Sequence, residues 1–237
     1  MSEGFSDCSA SIFAQVFHKG DLFQKFWKEQ RELIIQKNEA GKRASDVGGV
    51  YMGYRLDTAK TGYATRRIIY PKGGFILHRL RTMMWDPKTG DQRFSAMMKD
   101  FVKTYYNQNV STQDFQRVVE KHMTPDMNLN DDNKMNWFFA QWVYGTSIPD
   151  YKMTYQLDPA DEGKTKLTLK ITQSNVDEAF RMRVPIYLDF DGRIARLGTV
   201  PIVGNSTTDE VVVLLPKKPK RVLLAYYEDV LCTTDAR

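Results

Sequence analysis

Tyr70-Pro71-Lys72-Gly73-Gly74-Phe75-Ile76-Leu77-His78-Arg79-Leu80-Arg81 reads as an extended approach, a helix start and an apolar helix. Pro71 suits the first helical position, because its missing N–H is one of the donors a helix leaves unpaired there. Phe75, Ile76 and Leu80 cannot all be shed to water, so the spacing predicts a helix over 71–85 buried on at least one side. Tyr70 precedes the first turn, where its phenol either packs beside the turn or projects past the helix into a cleft. Asp86-Pro87 closes the element.

Upstream, residues 3–18 form a first helix whose apolar positions Phe5, Cys8, Ile12, Phe13, Val16 and Phe17 recur at helical steps. Glu3 falls in its first turn, where a carboxylate suits the helix dipole. Gly20 stops this helix and Asp21 caps a second over 21–39, with Leu22, Phe26, Leu33 and Ile34 inward. Residues 41–69 are expected to be irregular, broken by Gly48-Gly49, Gly53 and Gly62 and punctuated by Tyr51, Tyr54 and Tyr63.

Downstream, residues 91–107 give the cleanest amphipathic pattern, with Phe94, Met97, Met98, Phe101, Val102, Tyr105 and Tyr106. Ser111 is an N-cap for a helix bearing Phe115, Val118, Val119 and His122. Asp126, Asn128, Asn130 and Asp131 begin like a calcium loop but lack its Gly and its final Glu, so they read as the approach to a helix over 132–143. From residue 151 the period changes to two: Tyr151, Met153, Tyr155 and Leu157, then Leu167, Leu169 and Ile171, then Met182 to Phe190. Asp191-Gly192 marks a tight turn. Val211–Leu215 and Val222–Tyr227 flank a Pro- and Lys-rich turn, and about seven short strands imply a small β-sandwich. The fold class is therefore α+β: a helical part over 1–148 and a β-sandwich over 149–237.

Hydrophobic residues make up 42% and charged residues 27% of the 237, as in a soluble globular chain, and no apolar run approaches a membrane span. Cys8 and Cys232 stand at opposite ends and give neither a disulfide framework nor a zinc-ligand spacing. The net charge of +5 lies wholly before residue 149, with Lys42, Arg43, Lys60, Arg66 and Arg67 in one polar region. No aromatic-interleaved reader motif accompanies it, so a solvated surface is expected and no nucleic-acid partner.

Two segments carry a family resemblance. Ser2-Glu3-Gly4-Phe5-Ser6 and Tyr70-Pro71-Lys72-Gly73 resemble the corresponding segments of the aminopeptidase N-type gluzincin zinc metallopeptidases. The resemblance continues through Gln113-Asp114-Phe115, Phe138-Phe139-Ala140-Gln141-Trp142 and Gly145-Thr146-Ser147-Ile148-Pro149 into the strand-rich tail. It implies a peptide substrate and zinc as cofactor, with Glu3 as a zinc ligand and Tyr70 as the catalytic donor to the oxyanion. It also implies a β-sandwich directly after the catalytic domain. Zinc in such a site polarises the scissile carbonyl and activates water.

Such an enzyme also needs H-E-x-x-H, which supplies two zinc ligands and a general base. The histidines here are His18, His78 and His122; none is followed by Glu and no two are four apart. The resemblance places that motif upstream of Glu3. The chain is thus expected to be the C-terminal part of a larger zinc aminopeptidase, inactive by itself, whose partner is the missing N-terminal half. Alternatives are a non-catalytic interaction module that keeps the peptidase scaffold, and a basic-surface binder.

Overall fold

A computed structural model describes residues 2–17, 22–39 and 41–234; His18, Gly20 and Asp21 lie outside them. The chain divides into two compact units, Met1–Thr146 and Ser147–Arg237. The first is helical and the second is built from antiparallel sheet, so the fold is α+β with helices first.

The helices of the first unit are α1 (Ser2–Phe17), α2 (Leu22–Ile35), α3 (Thr65–Arg67), α4 (Gly73–Met84), α5 (Gln92–Thr104), α6 (Thr112–His122) and α7 (Asn136–Phe139). α4 is the centre. Every residue from Gly73 to Arg81 is buried, so the burial expected on at least one side extends around the whole helix there. Its polar members are accommodated by stacking and pairing. His78 lies flat on Trp27 at 4.3 Å between ring centres, and Arg81 donates to Gln15 at 2.6 Å and pairs with Asp91.

The chain does not enter α4 at Pro71. α3 runs into a wide π-helical turn over Ile68–Lys72 and then into α4, so Tyr70 and Pro71 sit inside a helical run. Proline has no N–H to give and its ring crowds the carbonyl four residues back. The wide turn relieves both problems, and Gly73 N–H reaches the carbonyl of Ile68 instead. Residues 44–61 form three short 3-10 turns, where an irregular region was expected.

Two inward faces differ from their sequence expectation. On α2 the buried stripe is Phe23, Trp27, Arg31 and Ile34, while Leu22 and Leu33 are exposed. Arg31 in mid-stripe hides that face from a hydropathy reading. On α1 the buried positions are Gly4, Cys8 and Ser11, while Phe13, Val16 and Phe17 are open to solvent at 55%, 68% and 67%. Cys8 and Cys232 are both buried free thiols.

α6 opens as expected. Ser111 Oγ accepts from the Asp114 N–H at 3.2 Å, and the Asp114 carboxylate accepts from the Ser111 N–H at 2.8 Å. α7 begins later than expected, because Asp131 and Asn133 adopt left-handed backbone at φ 56° and 55°. A second π-helical turn, Ala140–Tyr144, extends α7 to Gly145.

The second unit contains β1 (Asp150–Pro159), β2 (Thr165–Ser174), β3 (Arg181–Phe190), β4 (Arg193–Val203), β5 (Ser206–Thr207), β6 (Val211–Leu215) and β7 (Arg221–Leu224). β2 pairs with β1, β5 and β6; β3 pairs with β4 and β7; all pairs are antiparallel. Leu167, Leu169 and Ile171 of one sheet and Val184, Ile186 and Leu188 of the other are buried, which gives the sandwich its core. Asp191 and Gly192, both with positive φ, make the tight turn between β3 and β4. Among the described residues no helix is long and apolar enough to cross a membrane.

Candidate functional site

Glu3 lies in the first turn of α1 and Tyr70 in the wide turn ahead of α4. The structure brings the two side chains together: the Tyr70 hydroxyl donates a hydrogen bond to the Glu3 carboxylate. That bond favours the protonated phenol and is the main reason Tyr70 holds its proton above the ordinary tyrosine range. Partial burial and the charge of Glu3 push the same way.

Glycines make this approach possible. A Cβ on Gly4 would lie 2.4 Å from the carbonyl carbon of Gly73, and a Cβ on Gly73 would lie 3.1 Å from the Gly4 Cα. α1 and the start of α4 therefore touch backbone to backbone, directly beside Glu3 and Tyr70. Gly74 extends the contact, since a Cβ there would meet the Cβ of Asp7 at 3.1 Å and the Trp27 ring at 3.4 Å. The glycines that follow Glu3 and Lys72 in the two sequence segments are thus one packing device seen from both sides.

Lys72 anchors the turn. It is fully buried, and its Nζ donates to the Gly145 carbonyl at 2.7 Å. Burial alone pulls its ammonium down from 10.5 to about 8. Gly49 closes on the same helix end, where a Cβ would lie 2.5 Å from the Tyr144 carbonyl oxygen. The 48–50 loop, the Tyr70 turn and the end of the α7 run are therefore locked together.

Asp7 stands one helical turn beyond Glu3 on α1 and is half-buried. Desolvation first, and the Glu3 charge second, raise its pKa above the usual carboxylate range. Sequence reading passed over Asp7, although its four-residue spacing from Glu3 was visible. The anchoring by Lys72 is equally silent in the sequence, because only the tertiary fold shows which lysine is buried.

The two described histidines, His78 and His122, stay apart from this constellation. His78 is buried in the α2–α4 core, and His122 Nε2 lies 2.8 Å from Asp100 on the α5–α6 face. Hydrogen bonds from Lys121 first and His122 second lower the Asp100 carboxyl to about 2. Among the described residues no group of three or more His, Cys, Asp or Glu is placed to hold a metal ion. Glu3 offers one carboxylate of the kind zinc takes. No protein-family model matches the chain, and no curated protein matches it in sequence.

Proposed function

We propose that the chain is the C-terminal part of an aminopeptidase N-type zinc metallopeptidase that removes N-terminal residues from peptides, and that it is inactive alone. One observation carries this reading. Glu3 and Tyr70, singled out from two distant sequence segments, meet in a hydrogen bond across a glycine-to-glycine helix contact.

In this reading Glu3 supplies one oxygen ligand, and zinc, when bound, supplies Lewis acidity at the scissile carbonyl. Tyr70 keeps its proton at neutral pH and can therefore donate to an oxygen that gains negative charge. A phenol has a single proton to donate. Glu3 and a substrate oxygen must take it in turn, so engagement of Glu3 elsewhere is what frees Tyr70. Lys72 holds the turn that aims it.

The first test is metal content. The chain is produced together with an upstream segment bearing H-E-x-x-H, and zinc is measured in the wild type and in Glu3→Ala. Equal zinc in both would remove Glu3 from the metal site. The interaction-module reading draws on the exposed end of α1, where the Phe13 and Phe17 rings lie 4.5 Å apart, tilted by 31°, and both are more than half exposed.

A further inference from the structure

Between residues 41 and 70 the sequence has six Lys or Arg and only Asp46 and Asp57 as carboxylates, so most of the chain's net charge of +5 lies in this short stretch. None of these cations forms an ion pair among the described residues. Elsewhere in the helical unit cations find acids: Lys121 meets Asp100 at 2.9 Å, Lys134 meets Glu120 at 3.4 Å, and Arg81 meets Asp91. The positive charge on 41–70 is thus concentrated in one stretch and meets no carboxylate in an ion pair among the described residues.

The same stretch is aromatic and open. Tyr51 is 47% and Tyr54 74% exposed. Tyr51 leans on Tyr144 at 5.2 Å, and the Arg55 guanidinium lies over the Tyr51 ring at 5.6 Å. Arg55 is held there by the Met52 and Tyr51 carbonyls at 3.1 and 3.3 Å. Its remaining donors face solvent in a fixed fork of the sort that matches a carboxylate. Arg66 stands four positions before Tyr70 in the same helical run, so the two share a face through the wide turn. Tyr54 and Arg66 are close enough to the Tyr70 phenol to act on its charge.

We propose that Tyr54, Arg55 and Arg66 form a docking surface for acidic peptides, which selects substrates with Asp or Glu near the bond presented to Tyr70. This rests on the peptidase reading above for the identity of the ligand. The chemistry is local: planar guanidinium groups for carboxylates, with tyrosine rings to cover apolar stems. A carboxylate within a residue or two of the carbonyl facing Tyr70 stays close to Arg66, whose charge reaches the Tyr70 phenol. A nucleic acid would be drawn to the same charge without using that proximity.

The test is calorimetric titration of the 237-residue chain with otherwise identical short peptides carrying Glu, Gln or Lys, and with a single-stranded oligonucleotide, at low and at physiological salt. The Glu peptide is expected to bind roughly tenfold tighter than the Gln peptide, as for loss of a charge-assisted contact. The Lys peptide should bind least. Arg55→Gln with Arg66→Gln should abolish the preference, with an unchanged circular dichroism spectrum. Lys99→Gln on α5 should leave it intact. Equal binding of the Glu and Gln peptides would overturn the proposal. So would a preference that survives the double Arg variant, or tighter binding of the oligonucleotide than of the Glu peptide. None of these titrations needs zinc, so failure here is distinct from a Glu3→Ala result that removes Glu3 from the metal site.

Discussion

The Tyr70 hydroxyl donates a hydrogen bond to the Glu3 carboxylate, although the two residues stand on elements far apart in sequence. The contact depends on α1 and α4 meeting at Gly4 and Gly73 with no side chain between them. Three further consequences can be measured, and the central claim has its own test.

The glycine contact is asymmetric. A methyl on Gly4 would overlap the Gly73 backbone at 2.4 Å, whereas a methyl on Gly73 meets the Gly4 Cα at 3.1 Å. Backbone cannot rotate away as a flexible side chain can. Gly4→Ala should therefore destabilise the fold by at least ~2 kcal/mol, in the range of overpacked core substitutions, and Gly73→Ala by less. Urea unfolding of the two variants checks the order; a Gly4→Ala variant as stable as the wild type would mean that the helices do not touch here.

Lys72 makes stability depend on pH in a defined direction. Its folded pKa of about 8 lies below the ordinary 10.5, so between those values the unfolded chain binds the extra proton. Stability rises with pH wherever the unfolded state holds more protons. The wild type should gain stability from about pH 8 towards pH 10.5 relative to Lys72→Met, and the two should run parallel below pH 8. Parallel curves throughout would show that Lys72 is solvated like an ordinary surface lysine.

How much of this was legible in the sequence follows from what each pattern encodes. The period-two alternation from Tyr151 onward and the Asp191-Gly192 turn report local backbone geometry, and the sheets formed as those signals indicated. The Ser111 cap is equally local. The wide turn at Tyr70 was not legible, because Pro71 is as compatible with a helix start as with a π turn. The inward stripe of α2 was hidden by Arg31, and the open end of α1 by its own apolar residues. For the site, the segments containing Glu3 and Tyr70 could be marked on sequence, but their meeting depends on α1 crossing α4, which no local pattern specifies.

That open end of α1 also makes a prediction. Phe13, Val16 and Phe17 expose more than half of their surface on adjacent positions of one helix face. The pure chain should bind a hydrophobic dye such as anilinonaphthalene sulfonate, and Phe13→Ser with Phe17→Ser should lower that fluorescence severalfold. A wild type that binds no dye would mean that this face is not an accessible apolar patch.

The most direct test of the account is the rate constant of Tyr70→Phe in the chain produced together with an upstream segment bearing H-E-x-x-H. The substitution removes one hydroxyl and leaves Glu3, the glycine contact and the Lys72 anchor in place. The account predicts that zinc stays bound, that KM changes little, and that kcat falls by roughly a hundredfold or more, the usual cost of one lost oxyanion donor. Full kcat in a folded, zinc-loaded Tyr70→Phe enzyme would contradict it.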